Sequence, residues 1–395
     1  MDSSCLAFGV NVASDGFVVD VHSLYAWLGK LRDKRDARGL RYSLVTVLVL
    51  VVLAKLAGED RLAGIAEWVK HRAAFLAEAL GWSKKSSPHR STYSRVLGWA
   101  VDVAEFERLV SAFFAAQSKA GRSILVSLDG KTLRGSIPAG ETRGLHLLAA
   151  YLCDEGWVLM QVAVGNKENE ISAAPRVLGS LDLRGKVVTG DALLAQRGLS
   201  TQVVDGGGDY LWTVKGNQEG LADDIAVHFE LAPLAKGCCP RPVPFPTARS
   251  VDKGHGRLEC RTLQVSSALR GYLEWPYAEQ IFKLERHTRR LKDGKETSQV
   301  VYGITSLTTE EASPRRLLTL VRKHWQIENG LHYRRDETLR EDWCHLRIGQ
   351  TQQAMAIINN LVLGLLLRGR CRNVPQARRF YAAHLEKAIR LIYHA

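Results

Sequence analysis

The sequence predicts an α/β protein with a mixed five-stranded sheet, flanking helices, a β-rich insertion and an all-α amino-terminal domain. Three observations predict this class. Apolar residues recur at helical spacing from residue 22 to about 118. From about residue 122, short apolar runs alternate with turn residues and two helical segments. From 219 to 305 the pattern breaks into short β-like pieces separated by proline and glycine.

The amino-terminal region, residues 1–118, is predicted to contain short helices joined by basic turns. Gly58 is a plausible helix end, and Ser91 a plausible N-cap. These helices could form a helix-turn-helix-like DNA-binding module. They could equally form a bundle whose lysines and arginines are solvated, since no side-chain pattern specifies insertion into a groove.

Five strands are predicted in the order three strands, helix, strand, helix, strand. They are "SILVSLDG", "LHLLAAYLC", "WVLMQVAV", "KVVTGDA" and "DYLWTVKGNQ". A hairpin meander that leads into βαβ crossovers is the layout of a ribonuclease-H-like fold. This layout places the first and fourth strands side by side.

The net charge, the cysteine spacing and the lengths of the apolar runs limit which partners and which cellular environment the sequence is compatible with. The 395-residue chain carries 54 Lys plus Arg against 41 Asp plus Glu, a net charge of +13 that favours polyanionic partners. The seven cysteines form no Cys-x-x-Cys pair, which indicates reduced thiols. They are Cys5, Cys153, Cys238, Cys239, Cys260, Cys344 and Cys371. The apolar runs at 44–54 and 357–369 are shorter than a spanning helix, so we expect buried helices in a soluble protein with no membrane partner.

Two aspartates follow strands that are predicted to be neighbours. Asp129 stands where the first strand turns, and Asp191 at the carboxyl end of the fourth. Mg²⁺ prefers oxygen ligands and usually takes one or two carboxylates, and two such ions can support phosphoryl transfer. An aspartate after a strand is more often a turn or N-cap residue, so the prediction depends on a third carboxylate nearby.

The tail helix offers that third carboxylate. At about 100° per residue, His324, Glu328, His332 and Arg335 lie in one stripe beside an apolar face that could dock on the sheet. Asp336 is rotated away from Glu328, towards solvent, and is the weaker candidate. A glutamate on a charged helix is ordinarily a solvated residue, and the joint placement of the three acids is what favours a metal site.

The chain resembles the DDE transposases of bacterial insertion sequences, in the branch that includes the H-repeat-associated proteins. The motifs that carry the resemblance occur in order along nearly the whole chain. They are "DGKTLRGS" at 129–136, "NEISAAPRVLGSLDL" at 169–183, "VTGDALLAQ" at 188–196, "VKGNQ" at 214–218, "HGRLECR" at 255–261 and "HWQIENGLHY" at 324–333.

The resemblance implies that Asp129, Asp191 and Glu328 form the catalytic acidic triad and bind two Mg²⁺ ions, for which Mn²⁺ can substitute. Related transposases place Tyr, Arg, Glu and Lys along the tail helix. Here these positions hold Val321, His324, Glu328 and Arg335, so the tyrosine is absent. Asp336 is then expected to lie beside the ligands.

The resemblance also implies partners and domains. Double-stranded DNA is expected as partner, both as transposon terminal inverted repeats and as target, with a homodimer assembled on it in the bacterial cytoplasm at the nucleoid. The catalytic core is expected at 119–218 and 306–395, interrupted by the insertion at 219–305, with the DNA-binding domain at 1–118.

Nine residues are predicted to contact DNA: Lys131, Arg134, Lys215, Asn217, Gln218, His255, Arg257, His324 and Arg335. Each has an ordinary alternative. The "VKGNQ" residues could form a plain polar turn, and Asn169 and Glu170 could orient the site or cap a helix. If residues 255–261 form an extended strand, their charged side chains lie on one face of it. That face could contact DNA, or the charges could form ion pairs with one another in a solvated hairpin.

Two other functions remain open from the sequence. A non-transposing nuclease of the same fold would cut DNA without joining 3′-ends to a target. A catalytically idle relative would act as a DNA-binding regulator, which the intact triad disfavours.

Overall fold

The computed structural model describes most of the chain. The described residues are 10–12, 18–20, 22–38, 40–82, 86–117, 124–138, 140–165, 167–230, 244–369, 371 and 373–394. Cys5, Cys238, Cys239 and the predicted domain boundary after residue 118 lie outside these ranges. Within them, no helix is long and apolar enough to cross a membrane.

The amino-terminal region is helical, as predicted. In the described residues, two short antiparallel strands precede six α-helices and a π-helix. The elements are β1 (Val10–Val12), β2 (Val18–Asp20), α1 (Leu24–Leu28), α2 (Leu44–Leu56), α3 (Leu62–His71), α4 (Ala73–Leu80), α5 (Arg90–Arg95), the π-helix Val96–Ala100 and α6 (Val103–Gln117). Ser43 caps α2 by accepting the Thr46 N–H, and α2 ends before Gly58 as predicted. The prediction of Ser91 as an N-cap was wrong: His89 caps α5 by accepting the Ser91 N–H.

The remaining elements form one large sheet and its covering helices. They are β3 (Ile124–Thr132), β4 (His146–Leu152), β5 (Trp157–Val164), α7 (Glu170–Gly179), β6 (Lys186–Gly190), α8 (Arg197–Asp205), β7 (Asp209–Val214), α9 (Glu219–Glu230), β8 (Thr247–Gly254), β9 (Arg257–Ser266), β10 (Gln280–Arg290), β11 (Glu296–Thr305), α10 (Pro314–His324), α11 (Thr351–Arg368), α12 (Val374–Ala383) and α13 (Leu385–Tyr393).

All five predicted core strands are present, and the sheet is larger than predicted. The strand order is β5-β4-β3-β6-β7-β11-β10-β9-β8. β3, β4 and β5 form an antiparallel meander, and β6 and β7 run parallel to β3. β11 pairs with β7 in antiparallel register, Tyr302 opposite Val214. The insertion therefore covers the exposed edge of β7 and turns five strands into a nine-stranded sheet.

Helices from both ends of the chain cover β5. α6 and α11 pack against this strand and against each other. α11, which contains the apolar run at 357–369, is buried along most of its length, as predicted. The amino-terminal helices and the tail thus share one hydrophobic core with the sheet.

The tail segment that carries Glu328 is not a regular α-helix. α10 ends at His324, and two consecutive π-helical turns follow, Glu328–His332 and Arg334–Thr338. π-Turns shift side chains relative to α-helical spacing and are frequent at functional sites. The predicted 100° stripe therefore fails towards the end of this segment.

Candidate active site

Asp129 and Asp191 lie at the same level of two adjacent parallel strands. β3 and β6 pair in register as far as Ser127 opposite Thr189, and each aspartate comes two residues later. Asp129 is still within β3, opposite Ala149 of β4. The parallel register thus brings both carboxylates to the same edge of the sheet, as the strand order predicted.

Asp191 is both a turn residue and a member of an acidic group. Its Oδ1 accepts the N–H of Leu193 at 3.0 Å and of Leu194 at 3.4 Å, capping the 3₁₀ turn Ala192–Leu194. Partial burial raises the pKa of Asp191, and the nearby carboxylates of Glu170 and Asp129 raise it further. Asp191 therefore caps the turn that follows it, and this capping fixes its carboxylate near the carboxylates of Glu170 and Asp129.

Glu170 is the acidic neighbour that the sequence prediction did not include among the site residues. It begins α7, and its Oε1 hydrogen-bonds His146 Nε2 at 2.9 Å. His146 Nδ1 in turn hydrogen-bonds Thr132 Oγ1 at 2.8 Å. A Cβ on Gly130 would lie 2.0 Å from Glu170 Oε1, so glycine next to Asp129 gives this carboxylate its space. The capping role falls to Asn169, in a capping box with Ser172.

Two histidines of the tail interact with Asp129, one by direct contact and the other electrostatically. His332 Nε2 is 3.0 Å from Asp129 Oδ2. His324 is buried, which lowers the pKa of its imidazole, while the negative charge of Asp129 raises it. Glu328 lies midway between them in sequence, as the first residue of the π-helix, and is exposed. Asp129 thus contacts His332, four residues after Glu328, and its Oδ1 accepts the Gly130 N–H at 3.0 Å.

Asp336 lies inside the site region, which differs from the predicted orientation towards solvent. It forms an ion pair with Lys131 at 2.5 Å, and Lys131 Nζ is also 4.0 Å from Asp342. Burial raises the pKa of Asp336 despite that lysine. Lys131, predicted to contact DNA, is therefore engaged by carboxylates. Arg134 is 82% exposed and its guanidinium lies 3.9 Å from Asp342, so it remains open to a partner.

Arg335 is a structural residue in this fold. It is fully buried, and its Nε and Nη2 donate to the two carboxylate oxygens of Glu341 at 2.8 and 3.0 Å. Its Nη1 donates to Gln161 Oε1 at 2.8 Å and Asn360 Oδ1 at 3.3 Å. This placement disagrees with the prediction that Arg335 contacts a DNA phosphate. Its guanidinium is shielded from solvent, and its N–H groups already donate to Glu341, Gln161 and Asn360. His324, also predicted to contact DNA, is likewise buried.

The "VKGNQ" residues hold the loop that carries Asp191. Asn217 Nδ2 donates to the Ala192 carbonyl at 2.6 Å, and Gln218 Nε2 donates to the Ala195 carbonyl at 3.0 Å. Lys215 is exposed and makes no ion pair among the described residues. The side-chain amides of Asn217 and Gln218 therefore position the loop that carries Asp191. Lys215 is exposed and can contact a ligand.

The insertion motif forms a hairpin tip. His255 and Gly256, both with positive φ, make the two-residue turn between β8 and β9, so His255 is not part of an extended strand as predicted. Arg261 forms ion pairs with Asp252, at 3.0 Å, and with Glu259. For this arginine the structure thus shows ion pairing, the second of the two alternatives that the sequence left open. Arg257 and His255 are exposed.

Carboxylate oxygens are suitable ligands for a hard divalent cation. Within the described ranges, no three His, Cys, Asp or Glu side chains form a ligand set by themselves. Mg²⁺ usually combines one or two carboxylates with water and substrate phosphate, so the pair Asp129 and Asp191 fits that ion.

The chain is similar to proteins named as putative transposases over almost its full length. Residues 121–365 match the family described as Transposase DDE domain, and residues 25–114 match the family described as DDE_Tnp_1-associated. The H repeat-associated putative transposase YhhI of Escherichia coli (strain K12) is 25% identical over 93% of this chain and 97% of its own length. The "uncharacterized protein in dhlA 3′region" of Xanthobacter autotrophicus is 32% identical over 68% of this chain and 89% of its own length.

A solved structure, the piggyBac transposase synaptic complex with hairpin DNA, is 10% identical, with a TM-score of 0.43 over 98% of this chain and 80% of that chain. The two family matches cover the helical amino-terminal region and the sheet that carries Asp129 and Asp191. The chain therefore belongs to the DDE transposase family.

Proposed function

We propose that this protein is a metal-dependent DNA transposase that cuts DNA at transposon ends and joins the freed 3′-hydroxyl to target DNA. The observation that carries the proposal is the level placement of Asp129 and Asp191 on adjacent parallel strands, within a chain of the DDE transposase family. Glu328 is the proposed third carboxylate, since it lies between two histidines that approach Asp129.

Asp129, Asp191 and Glu328 would hold two Mg²⁺ ions, for which Mn²⁺ can substitute. Such ions, when bound, activate the attacking oxygen and stabilise the leaving oxygen of a phosphodiester. The chain itself supplies binding and orientation. His332 fixes Asp129, and Asn217 and Gln218 fix the loop after Asp191. Positioning of this kind accounts for much of the catalysis in phosphoryl transfer.

Glu170 is a further acid whose charge acts on Asp191, and His146 holds it in place. We assign it a supporting role, in which its negative charge adds to the field that attracts divalent cations. The oxygen that bonds His146, Oε1, is also the one that lies over Gly130, next to Asp129.

The proposal includes a ribonuclease-H-like core. The meander β3–β5 followed by β6 and β7, parallel to β3, supports it. Residues 119–218 and 306–395 would form the two parts of the core, 219–305 the insertion, and 1–118 a DNA-binding domain. The insertion would add Arg257 and His255 to the DNA-binding surface at its exposed hairpin tip.

Double-stranded DNA is the proposed partner, as terminal inverted repeats and as target, bound by a homodimer because two ends must be joined. Lys215 and Arg134 are exposed near the acidic edge and are suited to phosphate contacts. The net charge of +13 supports association with a polyanion.

A strand-transfer assay tests the proposal. Purified protein is mixed with labelled DNA from the boundaries of its own element, target plasmid and Mg²⁺, Mn²⁺ or EDTA. We expect cleavage and joined products with either metal and none with EDTA. Asp129→Asn and Asp191→Asn should abolish both reactions and leave DNA binding intact. Cleavage without joining would indicate a nuclease instead, and normal cleavage by either variant would refute the site.

A further inference from the structure

A basic groove of about 700 Å³ lies in the amino-terminal helical region. It is bounded by residues 34–38, 40–42 and 86–92 and by the π-helix Val96–Ala100. Among the described residues, five arginines and lysines line it, against one acidic residue, Asp36. The basic residues are Lys34, Arg35, Arg38, Arg41 and Arg95. The groove therefore attracts anions.

Within the part of the chain that the structure describes, two of the basic side chains of this groove form ion pairs, and two others do not. Lys34 pairs with Asp102 at 2.9 Å, and Arg35 pairs with Asp33 at 2.6 Å. Arg38 and Arg41 are exposed and have no carboxylate partner in the described part of the chain. Since these two guanidiniums are not neutralised internally, they are available to an external anion.

An exposed aromatic ring stands beside the open charges. Trp99 lies on the π-helix and is 66% exposed. A solvated tryptophan loses apolar hydration when a partner covers it, and aromatic and arginine side chains together are typical of nucleic-acid contacts. The groove thus combines phosphate-binding and apolar contact groups.

The loop after the acid-bearing tail segment connects this groove to the active site. Gln350 N–H donates to the Gly98 carbonyl at 3.1 Å, and a Cβ on Gly349 would lie 3.2 Å from the Trp99 ring. At its other end, Asp342 accepts the Arg134 N–H at 3.1 Å, next to β3. The loop also carries the exposed residues Trp343 and Arg347.

We propose that the groove and the 342–350 loop form one continuous surface for the sugar–phosphate backbone of duplex DNA. The inference rests on the proposed function, and it specifies where the DNA next to the cleaved position lies. Arg38 and Arg41 contact phosphates, Trp99 packs against the backbone between them and the loop, and Arg347 and Arg134 continue the path towards Asp129.

Fluorescence anisotropy with the full-length protein tests this surface. The probe is a labelled duplex of random sequence in EDTA, titrated at several salt concentrations. The variant Arg38→Ala/Arg41→Ala should lower the salt slope by about two, because each phosphate contact contributes about one. Trp99→Ala should weaken binding with the slope unchanged, since it removes no charge.

The control Arg184→Ala/Lys186→Ala also removes two charges, at the opposite end of β6 from Asp191, and should keep the wild-type slope. Equal slopes for both double variants, in proteins with equal melting temperatures, would overturn the proposed surface. The proposed function is tested separately, by cleavage with the wild-type protein and its loss in Asp129→Asn, since both of these proteins keep the arginines.

Discussion

His332 Nε2 lies 3.0 Å from Asp129 Oδ2, a contact between residues that are 203 positions apart in the chain. It attaches the π-helical tail segment to the strand that carries the first acidic residue. In this family member the imidazole thus positions a carboxylate that we assign to metal binding, and Glu328, which we propose as the third carboxylate, precedes His332 by four residues.

Removing this contact should weaken metal binding without destroying the site. We expect His332→Ala to raise the Mg²⁺ concentration needed for half-maximal cleavage by about 10- to 100-fold, the usual effect of losing a group that orients a ligand. His345→Ala, an exposed histidine of the following loop, is the matched control. An unchanged Mg²⁺ dependence in His332→Ala would show that this contact does not serve the metal.

Gly130 should be required for the arrangement of the acidic group. The Cβ of Gly130→Ala would come within 2.0 Å of Glu170 Oε1 and 2.7 Å of His146 Nε2, so the Glu170 side chain must move. We expect cleavage to fall by about 10-fold, as for other losses around metal ligands, with little change in melting temperature. Gly198→Ala, in α8 with open space around the added methyl, should retain full activity. Equal activity of the two variants would contradict a role for Glu170.

The buried pair Arg335 and Glu341 should contribute to stability. Arg335→Met leaves Glu341 buried without its partner, which typically costs about 3–5 kcal/mol in the free energy of unfolding. The double variant Arg335→Met/Glu341→Leu should lose less, because no charge is left unpaired. Urea unfolding measures both. A double variant that is less stable than Arg335→Met would contradict this account.

Stability should fall as the pH rises because of Glu107. Burial raises its pKa to about 8 from an ordinary 4.5, although Gln161 and Arg335 lower it in part. The folded state therefore keeps a proton that the unfolded state releases. This contribution is complete below the unfolded pKa and is lost as pH rises through the folded pKa.

Glu107→Gln removes this titration. Compared with the wild type, the variant should gain free energy of unfolding between about pH 5 and about pH 8. Urea unfolding at the two pH values measures the gain. A difference between variant and wild type that is constant across this range would contradict the assignment.

The core strands and the first two acids were predictable because they follow from local patterns. Short apolar runs define β3 to β7, and right-handed crossovers then place β3 beside β6. The parallel register brings Asp129 and Asp191 level. The attachment of β11 to β7 was not predictable in this way, since pairing between distant strand edges leaves no local signal.

The surroundings of Arg335 and Asp336 were predicted wrongly, because this segment does not keep the α-helical rotation of about 100° per residue that the prediction assumed. A 100° period puts Arg335 in the stripe of Glu328, whereas the π-turns change the rotation per residue and leave Arg335 buried against Glu341. The same error turned Asp336 towards solvent, although it lies against Lys131. Glu170 was predicted only as a residue that orients the site or caps a helix, because a glutamate at a helix start is ordinarily a first-turn charge.

The most direct test compares Glu328→Gln with Asp336→Asn in Mg²⁺-dependent cleavage of DNA from the element's own boundaries, at saturating Mg²⁺. Both substitutions keep side-chain size and remove a charge. The account predicts that Glu328→Gln abolishes cleavage while the protein stays folded and binds DNA. It predicts that Asp336→Asn, which loses a partner of Lys131, keeps activity reduced by about 10- to 100-fold. An active Glu328→Gln together with an inactive Asp336→Asn would contradict it.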